Sequence, residues 1–340
     1  MSELTNTHPA LRRAWHPVAR VEELTDAPLA VELLGGRWVL ARLGDGIRAF
    51  VDECPHRRAP LSAGRVRDDG TLQCAYHGWR FGSDGGCTLV PALGPGAPLP
   101  PRAVLGRPAG LREHAGIVWL APDEPLTPAP VVVDWDEPGL LLGVLPTVEA
   151  TVSAGLMVDN FCDVAHFPFL HAGTFGTDEA TELHDVTVVR DGWGFTVRYE
   201  HPFVNREDPA VARGERAAVQ TRRLTYRYTA PFTVTLRIDY VEAGGTNVIL
   251  FAVQPVDDRR CRLYTTLLRN DVDADGMAAA MAFEMEVLGE DLALQQRLPK
   301  AMPLAVTAEV HTRADRMTLE LRRVLADLTA AVAERAGRLG

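Results

Sequence analysis

The stretch CPHRRAPLSAGRVRDDGTLQCAYHGWRF, residues 54–81, holds a Cys-x-His pair and, after seventeen intervening residues, a Cys-x-x-His pair. Cys54, His56, Cys74 and His77 are thus two thiols and two imidazoles on near-duplicate loops, a donor set for zinc or for an iron–sulfur cluster. Zinc fingers usually group two cysteines on one knuckle and two histidines on a helix, whereas here each loop supplies one of each. The mixture fits a [2Fe–2S] cluster in which the thiolates take one iron and the imidazoles the other. Pro55 stiffens the first loop, and Gly78 lets the backbone of the second approach closely, so that N–H groups can reach the sulfides. A structural zinc site is the competing reading.

Around this stretch the first 120 residues read as β-rich. LAVELLGGRWVLARL (29–43) is two apolar runs about Gly35-Gly36, a hairpin signal, and IRAFVDE (47–53) continues the pattern. Both Cys/His pairs therefore fall on loops leaving strands. PDEPLTPAP (122–130) holds four prolines in nine residues and reads as a stiff connector between a domain at 14–121 and a second at 131–340. The second domain opens with strand-like LLLGVLPTVEATV (140–152) and a helix over 154–167. FTVTLRIDY (232–240) then puts Phe232, Val234, Leu236, Ile238 and Tyr240 on one face, between RLTYRYT and NVILFAVQPV, so an antiparallel meander is expected. From 276 the period becomes helical, with Met277, Met281, Glu284, Leu288, Asp291 and Gln295 on one face, ending at Pro299. A last helix over 306–336 carries Val310, Met317, Leu321, Leu328 and Val332. The fold class is α+β.

The 340 residues are 46% hydrophobic and 24% charged, enough to bury a core. Thirty-five basic against 45 acidic residues leave a net charge of −10, which argues against a nucleic-acid partner. No run of eighteen apolar residues reads as a membrane span, and the N-terminus MSELTNTHPALRRAWHP lacks the apolar core of a secretory signal, so a cytoplasmic location is expected. Five cysteines are an odd count that does not suit a disulfide framework; Cys87, Cys162 and Cys261 read as small buried thiols.

A second constellation lies in VDNFCDVAHFPFLHAGTFG (158–176). Asp163 and His166 are three apart and would share a helical face. His166 and His171 are five apart, which on a continuous helix splays them by about 140°. Pro168 should end the helix and let His171 turn back. Two imidazoles and one carboxylate on one side of Fe(II) leave positions open for O2 and substrate. The carboxylate is either Asp163 or Asp291, an acid on an otherwise apolar stripe, with Glu284 as the competitor on the same face.

CPHRRAPLS…LQCAYHGWRF…GGC, entered through WHPVA and VDECPHR, resembles the Rieske domain of non-haem iron oxygenases over residues 14–121. Respiratory Rieske proteins match less well, since they carry an additional cysteine in each cluster loop and a membrane anchor. DNFCDVAHFPFLH is similar to the oxygenase family's iron-binding stretch, and EDLALQQ (290–296) to the helix that supplies its iron-binding aspartate. The resemblance implies His166, His171 and Asp291 as ligands of a mononuclear Fe(II). It makes Asp163 the carboxylate that bridges to a cluster-ligand histidine of the neighbouring subunit, in a head-to-tail homotrimer, with Asn160 lining the site. It implies a catalytic domain of helix-grip type, with residues 1–13 packed on it.

The function implied is that of a terminal monooxygenase component that hydroxylates, or oxidatively demethylates, a small organic substrate with O2. Electrons would come from a separate ferredoxin or NAD(P)H-dependent reductase. The chain resembles the shorter homotrimeric branch with vanillate- and dicamba-type members; a ring-hydroxylating dioxygenase and a non-catalytic electron carrier are the alternatives. Phe232, Val234, Leu236 and Phe251 read equally as pocket or sheet core. Arg206, Arg237 and Asn247 are the candidates for a polar substrate group, and the substrate itself is not legible.

Overall fold

The computed structural model describes residues 3–44, 46–176, 181–183, 186–205 and 208–339; Arg206 lies outside them. The chain divides into two compact units, Arg12–Leu126 on the one hand and Met1–Leu11 with Thr127–Gly340 on the other.

In the first unit the strands Leu29–Leu33 and Gly36–Leu43 form the expected hairpin. Its turn is Leu34-Gly35, with φ of 54° and 74°, one residue earlier than the glycine pair suggested. Two successive positive φ values give the mirror-image turn that matches strand twist, so Leu34 accepts a backbone that Gly36 was expected to need. Gly36–Leu43 is buried on both faces. Trp38 and Leu40 pack with Val18, Leu33, Val118 and Leu120, while Val39, Ala41 and Leu43 pack with Phe50, Leu61, Leu72 and Phe81. The alternation of a strand thus divides this core into two layers. The second layer takes in Cys54 and Cys74 and rests on a ribbon of four short strands, Arg65–Val66, Leu72–Gln73, Arg80–Phe81 and Cys87–Leu89.

The second unit is built on an antiparallel meander. Its strands run in the order Leu141–Val144, Cys261–Arg269, Thr246–Pro255, Thr233–Tyr240, Val219–Thr229, Gly194–Val204 and Thr187–Asp191, and Val148–Ala150 also pairs with Cys261–Arg269. Thr233 and Thr235 are buried along with the apolar face of their strand, so that end of the sheet is covered on both sides. Glu3–Thr5 pairs with Ala301–Pro303. Asn6 then reaches across to accept from Ala154 N–H (2.8 Å) and donate to Val152 O (3.0 Å), fixing the start of the next helix.

The expected helix over 154–167 is two elements. Ala154–Phe161 starts at a Ser153 cap, and Phe167–Leu170 is a separate turn with Pro168 at its beginning. Proline is tolerated there because its missing N–H has no helical partner in the first turn. The helix Ala274–Gln295 is capped by Asp273, whose carboxylate accepts from Gly276 N–H at 2.8 Å. The last helix is Arg316–Leu339, not 306–336. A capped turn at Thr312–Asp315 precedes it, leaving Val310 97% exposed and off the apolar stripe. No helix among the described residues is long and apolar enough to cross a membrane.

Candidate metal centres

The two cysteine loops close in the same way. Cys54 N–H donates to Ala59 O (2.9 Å) and Arg58 N–H to Cys54 O (2.8 Å); Cys74 N–H donates to Trp79 O (2.9 Å) and Gly78 N–H to Cys74 O (3.1 Å). The fifth residue of each has positive φ, 57° at Arg58 and 71° at Gly78. A Cβ on Gly78 would in addition lie 3.2 Å from Pro91 Cγ, which explains the glycine there. The duplication in sequence is therefore a duplication in backbone, and the histidine sits third in one loop and fourth in the other. The rings of His56 and His77 meet edge to face with centroids 4.5 Å apart, and Trp79 stacks on His56 at 4.6 Å. The buried Cys54 thiol is pushed up to about 11, chiefly by burial, against the pull of the His56 and Arg57 N–H groups and with the Cys74 thiol in contact. Those N–H groups stabilise a thiolate once a metal supplies the positive charge.

The set fits a binuclear cluster better than a single ion. His56 Nδ1 is buried without a hydrogen-bond partner. Among the described residues, no three of these four donors gather within 4.8 Å of one another, as the donors around one tetrahedral ion must. The thiols pair with each other and the imidazoles with each other, which is how a cluster with one iron at each end divides them.

The other centre does gather. His166 Nε2 lies 3.2 Å from His171 Nε2, and Asp291 Oδ1 lies 3.6 and 3.3 Å from them. Cis ligands on a metal with bonds of about 2.1 Å are about 3.0–3.4 Å apart. Each ring's other nitrogen meets a carboxylate, His166 Nδ1 at 3.1 Å from Asp163 Oδ2 and His171 Nδ1 at 2.7 Å from Glu290 Oε2. Protons on those two Nδ1 atoms leave both Nε2 lone pairs facing a carboxylate oxygen. Three electron-rich atoms so close together repel one another unless a cation lies between them. His171 reflects this: burial lowers its pKa, but hydrogen bonding to Asp291 and Glu290 outweighs that and raises it. Asn160 Nδ2 donates to Asp291 Oδ1 at 2.8 Å, and Gln295 Nε2 donates to Asn160 Oδ1 at 2.9 Å, so one polar chain orients the carboxylate.

The triad opens into a concave, mostly apolar cavity of the kind that small molecules occupy. Its wall is largely aromatic and aliphatic, with Phe161, Phe167, Phe175, Phe203, Leu236 and Ile249 contributing. Of the residues weighed from sequence as pocket wall or polar contact, Leu236, Asn247 and Asn160 line it. Phe232, Val234 and Phe251 are buried sheet core, and Phe251 stacks on Phe161 at 4.6 Å. Arg237 is tied to Asp134, Glu137 and Asp239. Asp163 and His166 meet as expected, but across the turn that follows the helix rather than along its face; the Asp163 carboxylate accepts Ala165 N–H at 3.0 Å and makes that turn. Glu284 lines the cavity without joining the triad, and Asp291 takes the third corner. Sequence reasoning missed Glu290, seen only as one acid among several, and Arg222. The latter was detectable: Gln220, Arg222, Leu224, Tyr226 and Tyr228 alternate along one strand and are all buried.

Residues 14–105 match the Rieske [2Fe-2S] domain, and residues 150–331 match the vanillate O-demethylase oxygenase C-terminal domain. Methylxanthine N3-demethylase NdmB of Pseudomonas putida is 32% identical over 346 residues, covering 95% of this chain and 91% of its own. Methylxanthine N1-demethylase NdmA of the same organism is 32% identical over 327 residues, covering 94% and 89%. The structure of Pseudomonas putida CBB5 NdmA with caffeine superposes with a TM-score of 0.86 at 29% identity, covering 97% of this chain and 94% of that one.

Proposed function

The chain belongs to the Rieske oxygenases with a vanillate O-demethylase-type C-terminal domain; on that premise we propose that it hydroxylates the methyl group, or another C–H bond, of a small organic substrate, releasing a demethylated product where the methyl is borne on N or O. The convergence of His166 Nε2, His171 Nε2 and Asp291 Oδ1 at the head of an apolar cavity carries the reading. The N-demethylase names of NdmB and NdmA favour this over ring dihydroxylation, and a mere electron carrier has no use for the triad.

Iron between those three donors and a [2Fe–2S] cluster on Cys54, His56, Cys74 and His77 supply O2 activation and one-electron transfer when bound. The protein's own part is positional. Asp163 and Glu290 hold the two imidazoles by their Nδ1 protons, so each presents Nε2 in a fixed direction. Asn160, held by Gln295, steadies Asp291. The aromatic wall excludes water and orients a flat substrate toward the open side of the triad. Electrons come from a separate redox partner, which we read as a ferredoxin or an NAD(P)H-dependent reductase, a supply that goes with a cytoplasmic location.

We read Arg12–Leu126 as the cluster domain and the remainder as the iron domain. We further propose a homotrimer in which Asp163 bridges to a cluster histidine of the next copy. Two observations support it: the cluster rim is open, with His77 exposed and Tyr76 65% exposed, and a depression beside Asp163 is lined by Asp159, Glu309, Val310 and Asp315. The test of the functional reading is His166→Ala: it should abolish turnover and lose the mononuclear iron while keeping the cluster's visible and EPR spectra. Loss of the cluster as well contradicts a two-centre protein.

A further inference from the structure

Arg222 stands in the wall of the substrate cavity with only 7% of its surface exposed. Its guanidinium carbon lies 5.1, 4.9 and 5.1 Å from the ring centroids of Phe167, Phe175 and Phe203. Nε and Nη2 are buried with no hydrogen-bond partner, and Arg222 forms no ion pair among the described residues. Two comparably buried arginines are neutralised: Arg269 has Asp271 at 2.7 Å, and Arg322 has Asp159 and Glu309. Across the ladder its neighbours are His201 and Tyr240, and a histidine, neutral or protonated, is no counter-ion for a guanidinium. Glu284 lines the cavity too, and its charge acts on Arg222 through space without a salt bridge between them.

Phenylalanine rings attract a guanidinium but accept no ordinary hydrogen bond, so Nε and Nη2 are left for an acceptor, and a carboxylate grips such an N–H edge in bidentate fashion. A buried guanidinium with no carboxylate bonded to it is costly to fold around, and such a group facing a cavity points to a ligand that bonds it. Nearby in the same wall, Asn247 has a buried side-chain oxygen without a partner, an acceptor for a donor elsewhere on that ligand.

We propose that Arg222 is an anion subsite of the substrate cavity, and that the substrate is a flat, largely apolar molecule bearing one carboxylate. The assignment rests on the reading of this cavity as the oxygenase site and narrows it. It also separates this protein from its methylxanthine-demethylating relatives, since caffeine, the ligand of the similar structure, carries no charge.

The experiment is calorimetric titration of the anaerobic, iron- and cluster-loaded protein with benzoate, 4-methoxybenzoate and 2-naphthoate, each beside its primary amide. At least one acid should bind about 10- to 100-fold tighter than its amide. Arg222→Met should erase that preference, keep amide binding, and melt no lower than the unsubstituted protein, because it removes an unpaired buried charge. Equal binding of acid and amide, binding of no acid, or a preference that survives Arg222→Met overturns the proposal. A folded Arg222→Met variant that melts lower and loses amide binding makes the residue structural and overturns it too. Should Arg222→Met not fold, Arg222→Lys decides: a reduced but persistent preference for the acid supports the subsite, and unaltered acid affinity sinks it. Turnover is followed on the same samples. Acid binding without oxygenation counts against the oxygenase reading alone, whereas oxygenation of amides with no acid preference counts against the subsite alone.

Discussion

Glu290 and Asp291 are adjacent acids on the two sides of one ring, Glu290 Oε2 at 2.7 Å from His171 Nδ1 and Asp291 Oδ1 at 3.3 Å from Nε2. Their substitutions should differ accordingly. Asp291→Asn should lose the mononuclear iron, whereas Glu290→Gln should retain it with about 10- to 100-fold weaker affinity, read by iron content after graded chelation. Glu284→Gln should retain iron fully; the reverse pattern reassigns the third ligand. The sequence offered Asp291 among several acids on one helix, and only the placement of His171 beyond Pro168 separates them, which no periodicity reveals. A second residue makes a pH prediction. His201 is buried and its pKa is brought down to about 3, by burial first and by the Arg222 charge second. The unfolded chain takes up that proton near pH 6.5, so stability is lost as pH falls from about 6.5 towards 3, by at most about 1.4 kcal/mol per pH unit. His201→Phe should flatten the melting-temperature profile between pH 6.5 and 5, and an unchanged slope would refute the assignment.

Among the elements, strands with one alternating apolar face and a helix with a sustained stripe were readable, and junctions were not. Thr233–Tyr240 announced itself by its pattern, and Ala274–Gln295 by its helical stripe. The break between Phe161 and Phe167 was hidden because the residues that make it, Cys162 to His166, also fit a helix by spacing; the turn is made by the Asp163 side chain on Ala165 N–H. Likewise Thr312 and Asp315 start the last helix later than its apolar residues suggested. The helix bearing Glu284 and Asp291 owes its start to the Asp273 cap. Asp273→Ala should cost about 1 kcal/mol and lower the melting temperature by about 2–4 °C, without changing iron content. A calorimetric melt with metal analysis checks both halves of that statement.

At the scale of the whole molecule, the two donor sets lie on separate compact units, each legible in sequence as a local cluster of Cys, His and Asp, because the ligands of each unit come mostly from one short stretch. What sequence could not show is how far each set gathers, and that distance is what separates two irons in a cluster from one iron in a triad. Assembly is tested by sedimentation, which should give about three times the 37.1 kDa chain mass. Asp163→Asn should keep the trimer and both centres yet slow product formation severely, and an unimpaired rate would remove Asp163 from the electron path. The most direct measurement of the central claim is EPR of the dithionite-reduced, anaerobically purified protein, with iron and acid-labile sulfide counted on the same sample. A Rieske-type signal with about three irons and about two sulfides per chain is the predicted result; zinc in place of iron, with no sulfide and no signal, would contradict it.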